Sequence, residues 1–187
     1  MPRPALYTAD VLLDAAAELL AEDGPAAVTM AAVARITGAP SGSVYHRFPT
    51  RAALCGELWV RTEERFQDGL IDALSGEGDP QQRCVAGALR VVELCRDHPV
   101  QAQVLLAGPD ELGAGEWPDP LTGRRKRLQR KLRKVLGDIC DDASRAHAAL
   151  IDVPYAIARR HLRARQAIPA SADAIVADCA RALIDPA

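Results

Sequence analysis

Apolar residues recur at three- and four-residue steps along most of the chain, and glycine and proline cut that pattern into segments. From about 8 to 22, Val11, Leu12, Ala15, Ala16, Leu19 and Leu20 form one stripe, and Gly24-Pro25 ends it. Two short helices are predicted at about 30–36 and 41–47. A long one from Arg51 to about Ala73 carries Leu54, Leu58, Thr62, Phe66, Leu70 and Leu74 at four-residue steps. After the breaker at 75–80, helices are expected over about 80–96 and 99–107. Residues 108–120 read as a loop, followed by helices over about 120–138, 141–165 and 172–184, with Pro154 starting or kinking the latter half of the second. No alternating strand pattern is present, so the expected fold is all-α.

Residues 29–51 hold the residue types that ordinary packing explains least. Thr29 is placed to cap the first short helix, and Val28 to staple onto it. Val33 and Ile36 give that helix a narrow apolar stripe. Gly38 sits where the chain must enter a left-handed conformation, and Pro40 pre-sets the backbone for the next helix. Ser41, Gly42 and Ser43 keep its first turn small and polar. Val44 and Phe48, four apart, face the core, which leaves Tyr45 and His46 pointing elsewhere. Thr50 caps the long helix and Arg51 adds a charge at its start. Two short helices joined by a glycine turn, the second opening with small polar groups, make a helix-turn-helix DNA reader. Base reading then falls to Ala39, Pro40, Ser41 and Ser43. Phosphates fall to Thr29, Tyr45, His46, Thr50 and Arg51, and Arg47 reaches either.

The string Gly38-Ala-Pro-Ser-Gly-Ser-Val-Tyr-His-Arg-Phe-Pro-Thr-Arg51, with Leu54 and Leu58 beyond it, closely resembles the signature of the tetracycline-repressor (TetR) family. The resemblance spans roughly residues 5–58 and is one of layout only thereafter. Many relatives carry Ser or Thr in place of Pro40, and Lys in place of Ser41 or Arg51, which bears on the operator sequence. The resemblance implies a helix-turn-helix domain over 1–50 and a helical ligand-binding and dimerisation domain over 51–187. It implies a small-molecule pocket, for which Trp59, Phe66, Cys95, Trp117 and Tyr155 are the candidate walls; core packing is the alternative role for each. It further implies a homodimer through the helices of about 141–165 and 172–184, and release of a palindromic double-stranded operator when an effector binds.

Composition adjusts this reading. Apolar residues make up 49% of the 187, enough for a core, while aromatics are 4%, which favours helix over sheet. Net charge is −2, and residues 1–50 carry three Arg against five acids, so the expected reader is not basic as a whole. Those acids lie on the first helix and its end, away from the reading helices. The five cysteines are widely spaced without a Cys-x-x-Cys, as buried hydrophobes of a reducing cytosol would be; a redox sensor is the alternative. His98, His147 and His161 stand apart from any ligand set, so no metal and no cofactor is expected, and no catalytic constellation supports an enzyme. Met1-Pro-Arg-Pro lacks a signal-peptide core and no apolar run would span a membrane, so a cytoplasmic location is expected.

Between Arg124 and Lys134, eight of eleven residues are cationic. Leu121, Leu128, Leu132, Val135 and Leu136 keep helical spacing among them, which reads as an amphipathic helix with a solvated cationic face. Two other functions follow from different weights on these features. One is a nucleic-acid binder without sequence preference, using the 124–134 helix. The other is a small helical ligand carrier.

Overall fold

The computed structural model describes residues 7–184, so Met1 to Pro4 and the charge of Arg3 lie outside the described residues. Ten α-helices follow one another among those described: α1 Ala9–Asp23, α2 Met30–Thr37, α3 Ser41–Arg47, α4 Arg51–Leu74, α5 Pro80–Asp97, α6 Pro99–Ala107, α7 Asp119–Gly137, α8 Ala143–His147, α9 Val153–Arg163 and α10 Ser171–Ile184. Single 3-10 turns occupy Pro25–Ala27 and Ala114–Glu116, and no strand occurs among the described residues. The fold is all-α. No helix described is long and apolar enough to cross a membrane.

Helix limits follow from local chemistry. Thr8 Oγ1 accepts from Val11 N at 3.3 Å at the head of α1, and Thr29 Oγ1 accepts from Ala32 N at 3.1 Å at the head of α2. Gly38 ends α2 at φ +68°, a left-handed value that glycine adopts cheaply. Asp79 and Gln82 form a reciprocal capping box at the start of α5, at 2.8 and 3.1 Å.

The chain folds as two compact units. One combines residues up to 62 with 103–125; the other combines 63–102 with 126 onward. In the first, α1 packs on α2 and α2 on α3. Its core is built from Leu12, Leu20, Val28, Val33, Val44, Leu54 and Leu58, all buried. In the second, α5 packs against α9 and α10, and its Cys84, Ala88, Val92 and Cys95 are fully buried. Arg96, near the end of α5, donates to the Ile168 carbonyl at 3.2 Å and pairs with Asp173 at 2.6 Å. Arg145 donates to the carbonyls of Leu183 and Ala182 at 2.6 and 3.3 Å, satisfying acceptors that a helix end leaves open.

Two expectations are corrected here. The single helix of 141–165 is interrupted, because residues 148–152 wind as a π-helix between α8 and α9. Pro154 has no N–H to donate into the preceding turn and its ring crowds that turn, so the backbone widens just ahead of it. Ile36 was expected to face inward with Val33, yet it is 51% exposed. The buried stripe of α2 runs instead through Met30, Val33 and Ala34, the positions that three- and four-residue steps superimpose.

At Gly87 a Cβ would stand 2.7 Å from a Leu74 methyl and 2.9 Å from a Leu150 methyl. Gly87→Val is therefore expected to destabilise the protein by about 1–3 kcal/mol, the usual cost of overpacking. Chemical denaturation at fixed protein concentration measures it, and a neutral result would mean that α4, α5 and the π-helix pack more loosely than described.

Candidate DNA-reading site

Pro40 leads into α3 at φ −57° and ψ 136° and provides no side-chain cap, so the first turn of α3 is left open towards solvent. Val44 and Phe48 anchor the helix, at 0% and 6% exposure. The opposite face is then fixed by geometry: Ser41, Tyr45, His46 and Arg47 are exposed, and Ser43 is half-buried at its edge. Thr29 and Thr50 stand exposed at the heads of α2 and α4. Thr50 Oγ1 accepts from Ala53 N at 3.0 Å, as Thr29 does from Ala32, and each hydroxyl keeps its own proton for an outside acceptor.

Two expected contacts are placed otherwise. Ala39 is 7% exposed, with its methyl in the core under the turn, so its side chain is withdrawn from the open face. Arg51 is turned inward. Its Nε donates to the Val28 carbonyl at 2.8 Å and its Nη2 to the Pro25 carbonyl at 2.6 Å, which spends most of its fork on the α1–α2 connection. It holds the reader to α4, whatever else its charge does.

The structure also adds residues that sequence reasoning passed over. Tyr7 donates its hydroxyl to the Gly38 carbonyl at 3.0 Å, fixing the turn from 31 residues away. Arg35 on α2 is exposed, and like Arg47 it meets no carboxylate among the described residues. Arg61 of α4 is 9% exposed and reaches back to α1, with Nη1 on Asp10 and Nη2 on Asp14, both at 2.7 Å. That pairing answers the adverse charge count. Two of the acids in the first helix are matched by a buried guanidinium, while Arg35 and Arg47 remain available to phosphates.

Residues 12–58 match the family model of bacterial regulatory proteins, tetR family. Those residues form a TetR-family DNA-binding domain. At that level the chain is a DNA-binding transcriptional regulator. A comparison with curated proteins finds no match. Among solved structures, the chain is similar to a transcriptional regulator from Rhodococcus sp. Rha1, with 20% identity, a TM-score of 0.77, and 95% and 96% of the two chains covered. It is similar to the fatty acid degradation regulator FadR from Bacillus halodurans, at 15% identity, TM-score 0.75 and 98% and 97% coverage. FadR from Bacillus subtilis, solved in complex with stearoyl-CoA, gives 14% identity, TM-score 0.72 and 95% and 98% coverage. At these identities the likeness is one of fold.

Of the residues considered for a ligand pocket, Trp59 and Trp117 meet in the first unit, with ring centroids 5.7 Å apart. Phe66 and Cys95 are buried in the second. Burial pushes the Cys95 thiol up to about 12, and it raises the Tyr155 hydroxyl well above the ordinary tyrosine range, with Cys95 and Glu63 adding to the effect. Both groups are therefore neutral at physiological pH. The basic helix is partly engaged: Arg124 pairs with Glu57 at 2.6 Å, Lys131 with Asp68 at 2.9 Å, and Arg125 lies over the tryptophans.

The clamp on Arg61 gives a quantitative expectation. The Asp10 and Asp14 side chains are 68% and 58% exposed, so Asp10→Asn or Asp14→Asn alone should cost under about 1 kcal/mol. The double substitution leaves a buried guanidinium without either carboxylate and should cost about 2–3 kcal/mol, more than the sum. A double-mutant cycle by denaturation decides it; strict additivity would show that Arg61 does not depend on the pair.

Proposed function

We propose that this chain is a ligand-responsive repressor that binds a palindromic operator as a homodimer and is released by a small organic effector in the cytoplasm. The observation that supports it most directly is the division of labour among the arginines of the reader. Arg51 and Arg61 point inward and fasten α4 to α1 and the α1–α2 connection, while Arg35 and Arg47 are exposed and meet no acid among the described residues. On this reading residues 1–50 read DNA, and 51–187 bind the effector and the second subunit. Pro40, Ser41 and Ser43 approach base edges, while Thr29, Tyr45, His46, Thr50, Arg35 and Arg47 hold phosphates. Arg51 is a positioning residue. The helix α4 is continuous from Arg51 to Leu74, so a change of its tilt carries the reading helices with it. The effector acts by favouring the tilt that no longer fits the operator, which requires that it bind the two states unequally.

The alternative reader, the 124–134 helix, has less free charge than its sequence suggests, since Arg124 and Lys131 pair with carboxylates and Arg125 lies against the tryptophans. It is read here as a solvated face. Nothing in the residues brought together calls for catalysis.

Selection of bound fragments from a genomic DNA pool tests the reader. The native protein should enrich a palindrome, and Tyr45→Ala with Arg47→Ala should lose it while staying folded, because both side chains are exposed. Arg47→Ala alone should also lower the salt dependence of operator binding by about one phosphate contact per subunit. Binding that survives the double substitution and tracks the basic helix would sink this reading.

Dimerisation is expected through α8 to α10. On α10, Ile175 is 50% exposed beside the exposed Ala174, an apolar surface that a second copy would cover. Ile175→Asp should give a monomer by analytical ultracentrifugation and weaken operator binding together with it. A dimer that persists unchanged would move the interface elsewhere.

A further inference from the structure

Both tryptophans of the chain meet in one cluster, Trp59 on α4 and Trp117 just ahead of α7, with their rings inclined by 40°. Arg125 lays its guanidinium across them, with Cζ 5.0 Å from the Trp59 ring centroid and 5.8 Å from that of Trp117. The polar atoms here are unequally served. Trp117 Nε1 donates to the Leu112 carbonyl at 3.0 Å, and the neighbouring Arg124 donates to Glu57. Trp59 Nε1 and Arg125 Nε are buried and meet no acceptor among the described residues. Trp59 is 7% exposed, so its N–H is withdrawn from bulk water.

Stacking on the rings attracts the guanidinium charge but accepts none of its protons. Indole and guanidinium nitrogens are donors only, so neither can satisfy the other. Two buried N–H groups, one of them on a cation, thus lie in one cluster with no acceptor among the described residues. The platform is fixed rather than adaptable: a Cβ at Gly56 would stand 3.0 Å from the Trp117 ring and from a Leu121 methyl, so the indole is packed directly onto the backbone of α4.

We propose that Trp59 Nε1 and Arg125 anchor the carboxylate of an organic effector, an inference that rests on the ligand-responsive reading above. Charge selects the group. Arg124 is already matched by Glu57, which leaves one cation and calls for a monoanion. A carboxylate accepts from both donors and forms the short charge-assisted bonds a guanidinium favours. An alcohol would leave the Arg125 charge unmatched, and the second charge of a phosphate monoester would itself go unmatched.

The chain's own tryptophans report the event. Intrinsic fluorescence of the full-length protein is followed during titration with decanoate and benzoate, with decanol and benzyl alcohol as uncharged counterparts and decyl phosphate as the dianion. A saturable change is expected for a carboxylate, weaker by about tenfold or more for the matching alcohol, as loss of a hydrogen bond to a charged group requires, and weaker likewise for the phosphate, whose second charge has no partner there. Trp59→Phe keeps the ring and removes the N–H, and Trp117 still reports; affinity should fall by about tenfold. Arg125→Met should do the same, whereas Lys131→Met, on the same basic helix, should not. Circular dichroism establishes that each variant is folded.

No saturable response to either carboxylate, equal response to the alcohol, or unchanged affinity in Trp59→Phe overturns the anchor. A fixed water in the ligand's place would give the first of these. DNA selection on the same protein separates the two claims. A palindrome without a carboxylate response overturns the anchor alone; a carboxylate response without a palindrome overturns the regulator reading alone.

Discussion

The buried guanidinium of Arg61 is the contact on which the reader depends. It is almost wholly withdrawn from water, which is tolerable for a permanent cation only with carboxylates in place, and Asp10 and Asp14 supply them from the facing helix. Ten residues earlier, about 15 Å along the same helix, Arg51 grips the carbonyls of the α1–α2 connection. Helix α4 is thereby fastened to the reader at two separated points, which fixes a direction where one contact would leave a pivot. The core of the first unit is otherwise largely apolar and would tolerate small slips. The two arginines do not, since a slip strands a buried charge.

The same arrangement accounts for a reader that is acidic by simple count. Charge matters to DNA binding by where it is exposed, and the exposed cations Arg35 and Arg47 lie on the reading helices. Two of the acids are spent inside the protein on fastening α4. A count that stops at residue 50 leaves Arg61 out, although its charge is placed against the first helix.

What was legible in the sequence was local. Thr29, Gly38, Pro40 and Thr50 each act within four residues of themselves, so the limits of α2 and α3 could be read with little error. Long-range polar contacts were not legible. Nothing in the spacing of Arg61 from Asp10, 51 residues, or of Tyr7 from Gly38, 31 residues, says that they meet. Arg51 was misread for a related reason: a cation at a helix start looks free until the carbonyls beside it are placed. Ile36 shows the limit of periodicity in a very short helix, where a single residue of phase exchanges the core for the surface, and Ala39 shows that the turn between two such helices can itself be buried.

The cluster of Trp59, Trp117 and Arg125 sits on the stretch of α4 that the two arginine contacts define, since Trp59 is two residues from Arg61. Two residues along a helix turn the side chain by about 200°, so Trp59 and Arg61 leave opposite sides of α4. One side is held to α1 by ion pairs; the other carries the Trp59 N–H, which has no acceptor among the described residues. An anion arriving there would change the balance on a helix already fixed to the reader, and it would do so within one packed unit. Coupling between effector and operator then needs no long chain of intermediates. It needs only that the tilt of α4 which best serves the ligand differ from the tilt which best serves the DNA.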